Sequence, residues 1–374
     1  MKILHLITRM DRGGSAVNTL LSATGQLQAG HEVVLAMGPS VESEMSPEEA
    51  AVTERSLAKF TQAGGTIQVL PALFRRPSPI HDLRAFFQIR KLLSGKFDVV
   101  HTHTSKAGAL GRLAAWGRAK SIVHTSHGHV FHGYYGWLAT KFFILAERFL
   151  ALRCHALVAL TPQERDDHLA LNVGKPSQWH VVHSGVDIKA IASGTDSADA
   201  EKTWRAVSVG RLVSIKGMDR LIRAWREVVD RDASARLAII GDGPELPALQ
   251  ELSEGLGLGN HIHFTGWTEP LPYLRSAKSF VLLSRNEGMG RAVVEAMAVG
   301  LPCVVADVCG LRELVDDRVG RRVDADSPSE VAEALCHSWP LEVSEAACQK
   351  AFSYSVEVMV DKLMRLYEGL LESK

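Results

Sequence analysis

The 374-residue chain carries no excess of either charge: 42 Lys and Arg stand against 42 Asp and Glu. A general nucleic-acid binder usually shows a basic surplus, so the balance argues against that class and leaves only local patches open. Cysteine is scarce. The five present (Cys154, Cys303, Cys309, Cys336, Cys348) include no C-x-x-C pair and are odd in number, which fits a reduced, cytoplasmic compartment rather than a disulfide framework. No apolar run reaches the length of a membrane-spanning helix. The opening MKILHLITRMDRGG meets Arg9 and Asp11 too early for the apolar region of a signal peptide, and reads as a first buried strand. The dinucleotide fingerprint G-x-G-x-x-G is also absent, which weighs against an NAD-dependent oxidoreductase. What is present, 46% hydrophobic and 22% charged residues, is the composition of a soluble globular protein.

The length calls for two cores rather than one. Short apolar runs alternate with amphipathic stretches. The first half predicts strands at Ile3–Thr8, Glu32–Ala36, Thr66–Leu70, Val99–His101, Ile122–Thr125 and Ala156–Ala159. The second predicts them at Ala206–Val209, Arg236–Ile240, His261–Phe264, Ser279–Leu283 and Pro302–Ala306. This is the rhythm of parallel sheets covered by helices on both faces. The boundary is expected in the loop Ser184–Lys202, rich in Gly, Ser, Ala and Asp. The ligand is then expected between two doubly wound domains, at the carboxyl ends of their strands.

Several segments have chemistry to offer. Gly13 and Gly14 follow the first strand and open a helix, so an anion could meet free N–H groups there; an ordinary tight turn explains them as well. Arg211 follows the strand Ala206–Val209, and Lys216 stands five residues on. Two cations at a strand end suit a departing diphosphate, but two solvated surface cations would look the same. The segment Glu287-Gly288-Met289-Gly290-Arg291, continuing to Glu295, joins a buried strand through a glycine turn to a helix. Carboxylates there can hold sugar or ribose hydroxyls, and the glycines can turn amides toward phosphate. The bland alternatives are a helix-start acid for Glu287 and a solvated one for Glu295. Glu295 is flanked by Val293, Val294, Ala296 and Met297, so an acid there is expected to have a partner or a task.

Glu287 and Glu295, with seven residues between them, resemble the E-x7-E motif of retaining glycosyltransferases of the GT-B fold, in particular glycosyltransferase family 4. EGMGRAVVEAMAVGLPCVVADVCGLRELV, VGRLVSIKGMDRLIRAW, IIGDGPE, FTGW and SYSVEVMVDKLMRLYEGLL resemble successive landmarks of that family. The resemblance covers essentially the whole chain. It implies two Rossmann-like domains facing across a central cleft: an acceptor-side domain over 1–185, a nucleotide-sugar-binding domain over 186–355, and a last helix over 356–374 returning to the first domain. It implies that Glu287 holds donor-sugar hydroxyls and Glu295 the ribose, that Arg211 and Lys216 grip the diphosphate, that Gly13 and Gly14 lie against it, and that His127 approaches the sugar near the reacting carbon. Gly288, Met289, Gly290 and Arg291 complete the donor loop. Three positions depart from the pattern: Met289 for a common Phe, Arg291 for a common Leu, and Cys309 for the first Gly of a pair. Arg291 could add a phosphate contact or a sugar preference.

The activity so implied is transfer of a hexosyl group, with retention, from a nucleotide-diphosphate sugar to a glycan or polyprenyl-diphosphate-linked acceptor, as in surface polysaccharide synthesis. Rival readings are a nucleotide-sugar epimerase of the same fold and a non-catalytic sugar-nucleotide sensor. No cofactor or metal is expected. His101, His103, His124, His127, His129 and His132 are dense, but no carboxylate or cysteine joins them at ligand spacing. Asp324-Ala325-Asp326 precedes a helix and reads as its start rather than a cation site. The aromatic segment Phe131–Leu150 is too charged to span a bilayer. It reads either as a buried core helix with a covering loop or as a peripheral membrane contact.

Overall fold

The computed structural model describes residues 1–43, 45–128, 136–193 and 203–373. His129, His132, residues 131–135 of the aromatic segment and residues 194–202 lie outside them. The chain forms two compact units, Met1–Gly185 with Val356–Lys374, and Val186–Ser355.

The first unit is built on β1 (Lys2–Ile7), β2 (Glu32–Met37), β3 (Thr66–Val69), β4 (Val99–His103), β5 (Ser121–Thr125), β6 (Ala156–Ala159) and β7 (Trp179–Val181). All pair in parallel in the order β3-β2-β1-β4-β5-β6-β7, so the direction of winding reverses between β1 and β4. Side chains alternate between the two faces. Leu4, Leu6, Val100 and Ile122 enter one core cluster, while Ile3, Val99 and Val123 enter another with Met359, Val360, Leu363, Met364 and Tyr367. Those last five belong to the helix Val356–Glu372, which packs on the helix Gly14–Gln28. Gly25 permits that approach, since a Cβ on it would lie 2.5 Å from Val360 Cγ2.

The second unit holds β8 (Ala206–Val209), β9 (Leu237–Ile240), β10 (Ile262–Phe264), β11 (Phe280–Leu282), β12 (Cys303–Ala306) and β13 (Gly320–Val323). They form a parallel sheet in the order β10-β9-β8-β11-β12-β13, whose winding reverses between β8 and β11. The helix Met218–Arg231 buries Leu221, Ile222, Trp225, Val228 and Val229 on one face, the i, i+3, i+4 stripe of a helix covering a sheet.

Both sheets have one more strand than the apolar runs predict. The additions, β7 and β13, are sheet edges. β7 is three residues long. In β13 the run is broken by Arg321 and Arg322, which pair with Glu333 at 3.0 Å and Asp307 at 3.6 Å. An edge strand buries less of itself, so its sequence need not be apolar throughout.

Candidate active site

In the second unit the loops after β8 and β11 meet where the winding reverses, the position at which open α/β sheets leave room for a ligand. Arg285 N donates to Ile215 O at 2.8 Å. Gly217, in the left-handed conformation (φ 65°), lets the β8 loop press on the β11 end, since a Cβ there would fall 2.1 Å from Leu283 O. This contact brings Lys216 and Glu287 together: Lys216 Nζ donates to Glu287 Oε2 at 2.6 Å, and Ser284 Oγ donates to the same oxygen at 3.1 Å. Both side chains are only partly covered, 24% and 12% exposed. The ammonium has three N–H donors and gives one to Glu287, so it stays oriented with capacity to spare. Its stem runs beside Gly210, where a Cβ would find Lys216 Cδ at 3.7 Å. Arg211 is exposed at the end of the same strand.

The glycine turn after Glu287 leads into the helix Arg291–Ala298, capped by Gly290 in the left-handed conformation and without an acid in its first turn. Its amide end is therefore suited to an anion. Gly288 faces open space, and Met289 is buried. The helix sinks Val293, Val294, Ala296 and Met297 into the core while Glu295 stays on its half-exposed side, 25% exposed. The chain neighbours of Glu295 are apolar, but a helix turns them away from it. Its carboxylate has Arg291 one turn back at 3.7 Å, so the departure at Arg291 supplies a cation beside Glu295. The departure at Cys309 has a simple account. The left-handed φ (79°) falls on Gly310, and a Cβ there would lie 2.4 Å from Glu287 O and 2.6 Å from Gly288 O. Only the second residue of the pair has to be glycine.

Asp324 Oδ1 accepts from Asp326 N at 3.0 Å ahead of the helix Pro328–Cys336, and Asp326 pairs with Arg220 at 2.8 Å. The two acids thus shape a helix start and a surface ion pair. A concavity of about 600 Å³ nearby mixes Arg220, Arg285 and Arg322 with Asp307, Asp324 and Glu330; Lys216 and Glu287 do not line it.

The first unit carries Gly13, Gly14 and His127. Gly13 caps the helix Gly14–Gln28, which has no acid in its first turn. Gly13 N already donates to Asp11 Oδ1 at 2.9 Å, and Asp11 is held by Arg9 at 2.7 Å. His127 follows β5 in the left-handed conformation (φ 59°), a strain of about 1–2 kcal/mol for a residue with a Cβ. Glu164 fixes this turn. Its Oε1 accepts from Ser126 Oγ and Gly128 N, both at 2.7 Å, and its Oε2 from Leu160 N at 2.6 Å.

His5, His101 and His103 share one face of β1 and β4, where His5 pairs with His101, and His127 lies two residues past Thr125, the partner of His103 at the end of β5. Gln26 Oε1 lies 2.7 Å from His5 Nε2, His5 Nδ1 lies 2.9 Å from His103 Nε2, and His103 Nδ1 lies 2.9 Å from His127 Nε2. Tyr367 OH accepts from Gln26 Nε2 at 3.4 Å and meets His101 Nδ1 at 2.5 Å; His101 Nε2 meets Thr125 Oγ1 at 2.7 Å. Burial lowers His5 to about 4 and His127 to about 3, and holds His101, His103 and His124 well below the usual imidazole range, so the rings are neutral at pH 7. His5, His101 and His103 could bring three ring nitrogens within 4.8 Å of one another. Each of their nitrogens already has a hydrogen-bond partner, so a metal would have to break this network.

The sequence reading did not pick out Glu164, His5 or Gln26. For Glu164 the signal was its place three residues after Thr161, whose side chain caps that helix. For His5 it was a polar residue inside an apolar run, and for Gln26 there was none.

Comparison with known proteins supplies the family. Residues 12–190 match the family model described as Glycosyltransferase Family 4, and residues 204–339 the one described as Glycosyl transferases group 1. The chain is 31% identical over 311 residues to D-inositol 3-phosphate glycosyltransferase 1 of Catenulispora acidiphila, covering 74% of this chain and 73% of that one. The chain belongs to glycosyltransferase family 4. This family 4 enzyme is also 27% identical over 333 residues to the Escherichia coli UDP-Gal:alpha-D-GlcNAc-diphosphoundecaprenol alpha-1,3-galactosyltransferase, covering 82% and 84% of the two chains. Its fold is similar to that of Anabaena Alr3699/HepE solved in complex with UDP, with a TM-score of 0.81 at 19% identity, covering 99% of this chain and 100% of that one. It is similar also to the sucrose-phosphate synthase of Thermosynechococcus elongatus, with a TM-score of 0.77 at 19% identity over 100% of both. Both units are Rossmann-like, as in GT-B glycosyltransferases. The chain is thus a glycosyltransferase, and a sugar-nucleotide donor fits its site.

Proposed function

We propose that this enzyme transfers a hexosyl group, with retention, from a UDP-sugar to a diphosphate-linked lipid acceptor at a membrane surface. The observation that carries the donor half is the Lys216–Glu287 pair at the reversal point of the second sheet. Glu287 takes sugar hydroxyls while holding Lys216 at the diphosphate. Lys216, Arg211 and the amide end at Gly290 offset the charge that grows on the leaving group. Glu295 takes the ribose, and His127 meets the donor sugar. With cations and amides in that role, no metal is required, so turnover is expected to survive EDTA. The reaction proceeds by front-face attack within an ion pair. Support for UDP comes from the Escherichia coli relative, whose name gives a UDP-Gal donor, and from Alr3699/HepE, solved with UDP.

The lipid half rests on the helix Trp137–Ala151. Only its last two residues, Leu150 and Ala151, are buried, so it is not a core helix. Leu138, Phe142, Leu145, Phe149 and Leu152 are 48–69% exposed, and their spacing makes one stripe. Lys141 sits 4.6 Å over Trp137, and Arg153 lies 4.7 Å over Phe149, an aromatic and cationic edge suited to headgroups. On the helix Pro79–Leu92, Ile80, Leu83 and Phe87 are exposed as well. Among the described residues no helix is long and apolar enough to cross a membrane. The Escherichia coli relative is named for a diphosphoundecaprenol acceptor.

The test is a thermal-shift screen of UDP-, GDP- and ADP-sugars, followed by transfer assays with the best binder, with and without EDTA. The acceptors are a polyprenyl diphosphate N-acetylglucosamine and inositol phosphate. Stabilisation by UDP-sugars and transfer to the lipid are expected. Transfer to inositol phosphate alone would overturn the lipid reading.

A further inference from the structure

We propose that Gln26, acting through His5 and His103, sets which nitrogen of His127 carries its proton, and so makes His127 Nδ1 a hydrogen-bond acceptor. The inference rests on the reading that His127 meets the donor sugar, and it assigns the chemistry of that contact.

A neutral imidazole has one N–H and one bare nitrogen. Gln26 Oε1 can only accept, so His5 donates from Nε2 across 2.7 Å. His5 Nδ1 is then bare and accepts from His103 Nε2–H at 2.9 Å. His103 Nδ1 is bare in turn and accepts from His127 Nε2–H at 2.9 Å. His127 is left with its lone pair on Nδ1, a buried atom without a partner among the described residues. The amide at the far end is held by its other arm. Gln26 Nε2 donates to Tyr367 OH, which can pass its own proton to His101 Nδ1, and His101 Nε2–H to Thr125 Oγ1. In this direction every pair on both arms has one donor and one acceptor. Reversing it requires turning the amide and moving a proton on each ring together.

A bare Nδ1 on His127 takes a sugar hydroxyl in its donating role, through the hydroxyl O–H. Gln26, His5 and His103 are therefore positioning residues. None touches the donor, and each acts through the ring ahead of it. The helix Val356–Glu372 takes part through Tyr367, so the last helix of the chain helps to orient a group at the end of β5.

The test is the tautomer itself. Nitrogen NMR of the full chain, labelled at histidine and assigned with His127→Gln, should show His127 protonated at Nε2 and bare at Nδ1. A proton on Nδ1 in the unmodified enzyme overturns the proposal. Gln26→Met removes the amide, and should mix the two tautomers at His127 and lower kcat about tenfold with UDP affinity unchanged. Gln26→Glu, which can still accept from His5, should restore the single tautomer. A single unchanged tautomer in Gln26→Met would also overturn the proposal. If the tautomers mix while kcat holds, the chain of direction stands and the contact between His127 and the donor fails.

Discussion

Lys216 and Glu287 show how folding makes a pair of two residues that each look ordinary alone. They lie 71 positions apart, and each had a bland explanation as a surface cation and a helix-start acid. Their 2.6 Å contact, with Ser284 on the same oxygen, is costly to leave unmade once both are half-buried. Replacing Lys216 with Ala removes the charge proposed for the leaving group and leaves Glu287 without its cation. Turnover should fall by about 100- to 1,000-fold, corresponding to roughly 3–4 kcal/mol. A loss smaller than tenfold in a steady-state transfer assay would remove Lys216 from the reaction. The E-x7-E spacing was legible in the sequence because both acids belong to one strand–turn–helix unit. The Arg291–Glu295 pair was legible in principle as an i, i+4 pair. The strict demand for glycine at Gly310 was not, because it comes from backbone atoms of a different loop.

At the level of elements, the proposed lipid acceptor rests on the helix Trp137–Ala151. Its apolar stripe has the pattern of a core helix, and only the exposures show that it faces outward. Each large apolar side chain transferred from water is worth about 1.5–3 kcal/mol. Replacing Phe142 and Leu145 together with Ser should therefore lower partition onto vesicles containing anionic lipid by about 100-fold or more. UDP-sugar affinity should not change. Cosedimentation that is unaffected by the double substitution would leave the stripe without a membrane role. Glu164 makes a second point at this level. It belongs to the helix Pro162–Ala170 but holds the turn of β5 that carries His127, so a helix start in one place fixes a strand end in another.

For the whole molecule, the unequal distribution of buried imidazoles matters most. Among the described residues the fully buried histidines lie in the first unit, and His5, His101, His103, His124 and His127 are all held below the usual range by burial. The unfolded chain takes up protons near pH 6.5, while in the folded unit His5 resists them until about pH 4 and His127 until about pH 3. Between those values the unfolded state binds more protons, so stability falls as pH falls. Each such ring removes at most about 1.4 kcal/mol per pH unit. Hydrogen exchange read by mass spectrometry should show residues 1–185 losing protection between pH 6.5 and 4. The second unit should keep its protection over that range. Equal loss in both units would show that the histidines do not control the acid limit.

The sequence by itself determined the α/β class, the strand–turn–helix that carries Glu287 and Glu295, and the family, because these rest on local periodicity and on residues close together in the chain. It did not disclose the edge strands β7 and β13, whose short or charged runs carry too little apolar pattern. It could not place Lys216 on Glu287, or His5 and Gln26 behind His127. The V-H-T-H run marks a shared face within β4, but a period of two does not say which strands are neighbours. The reversal of winding decides that, by laying β1 against β4 and β8 against β11. Only the tertiary structure makes the two strand-end loops a charged pair and four separate histidines one hydrogen-bonded chain.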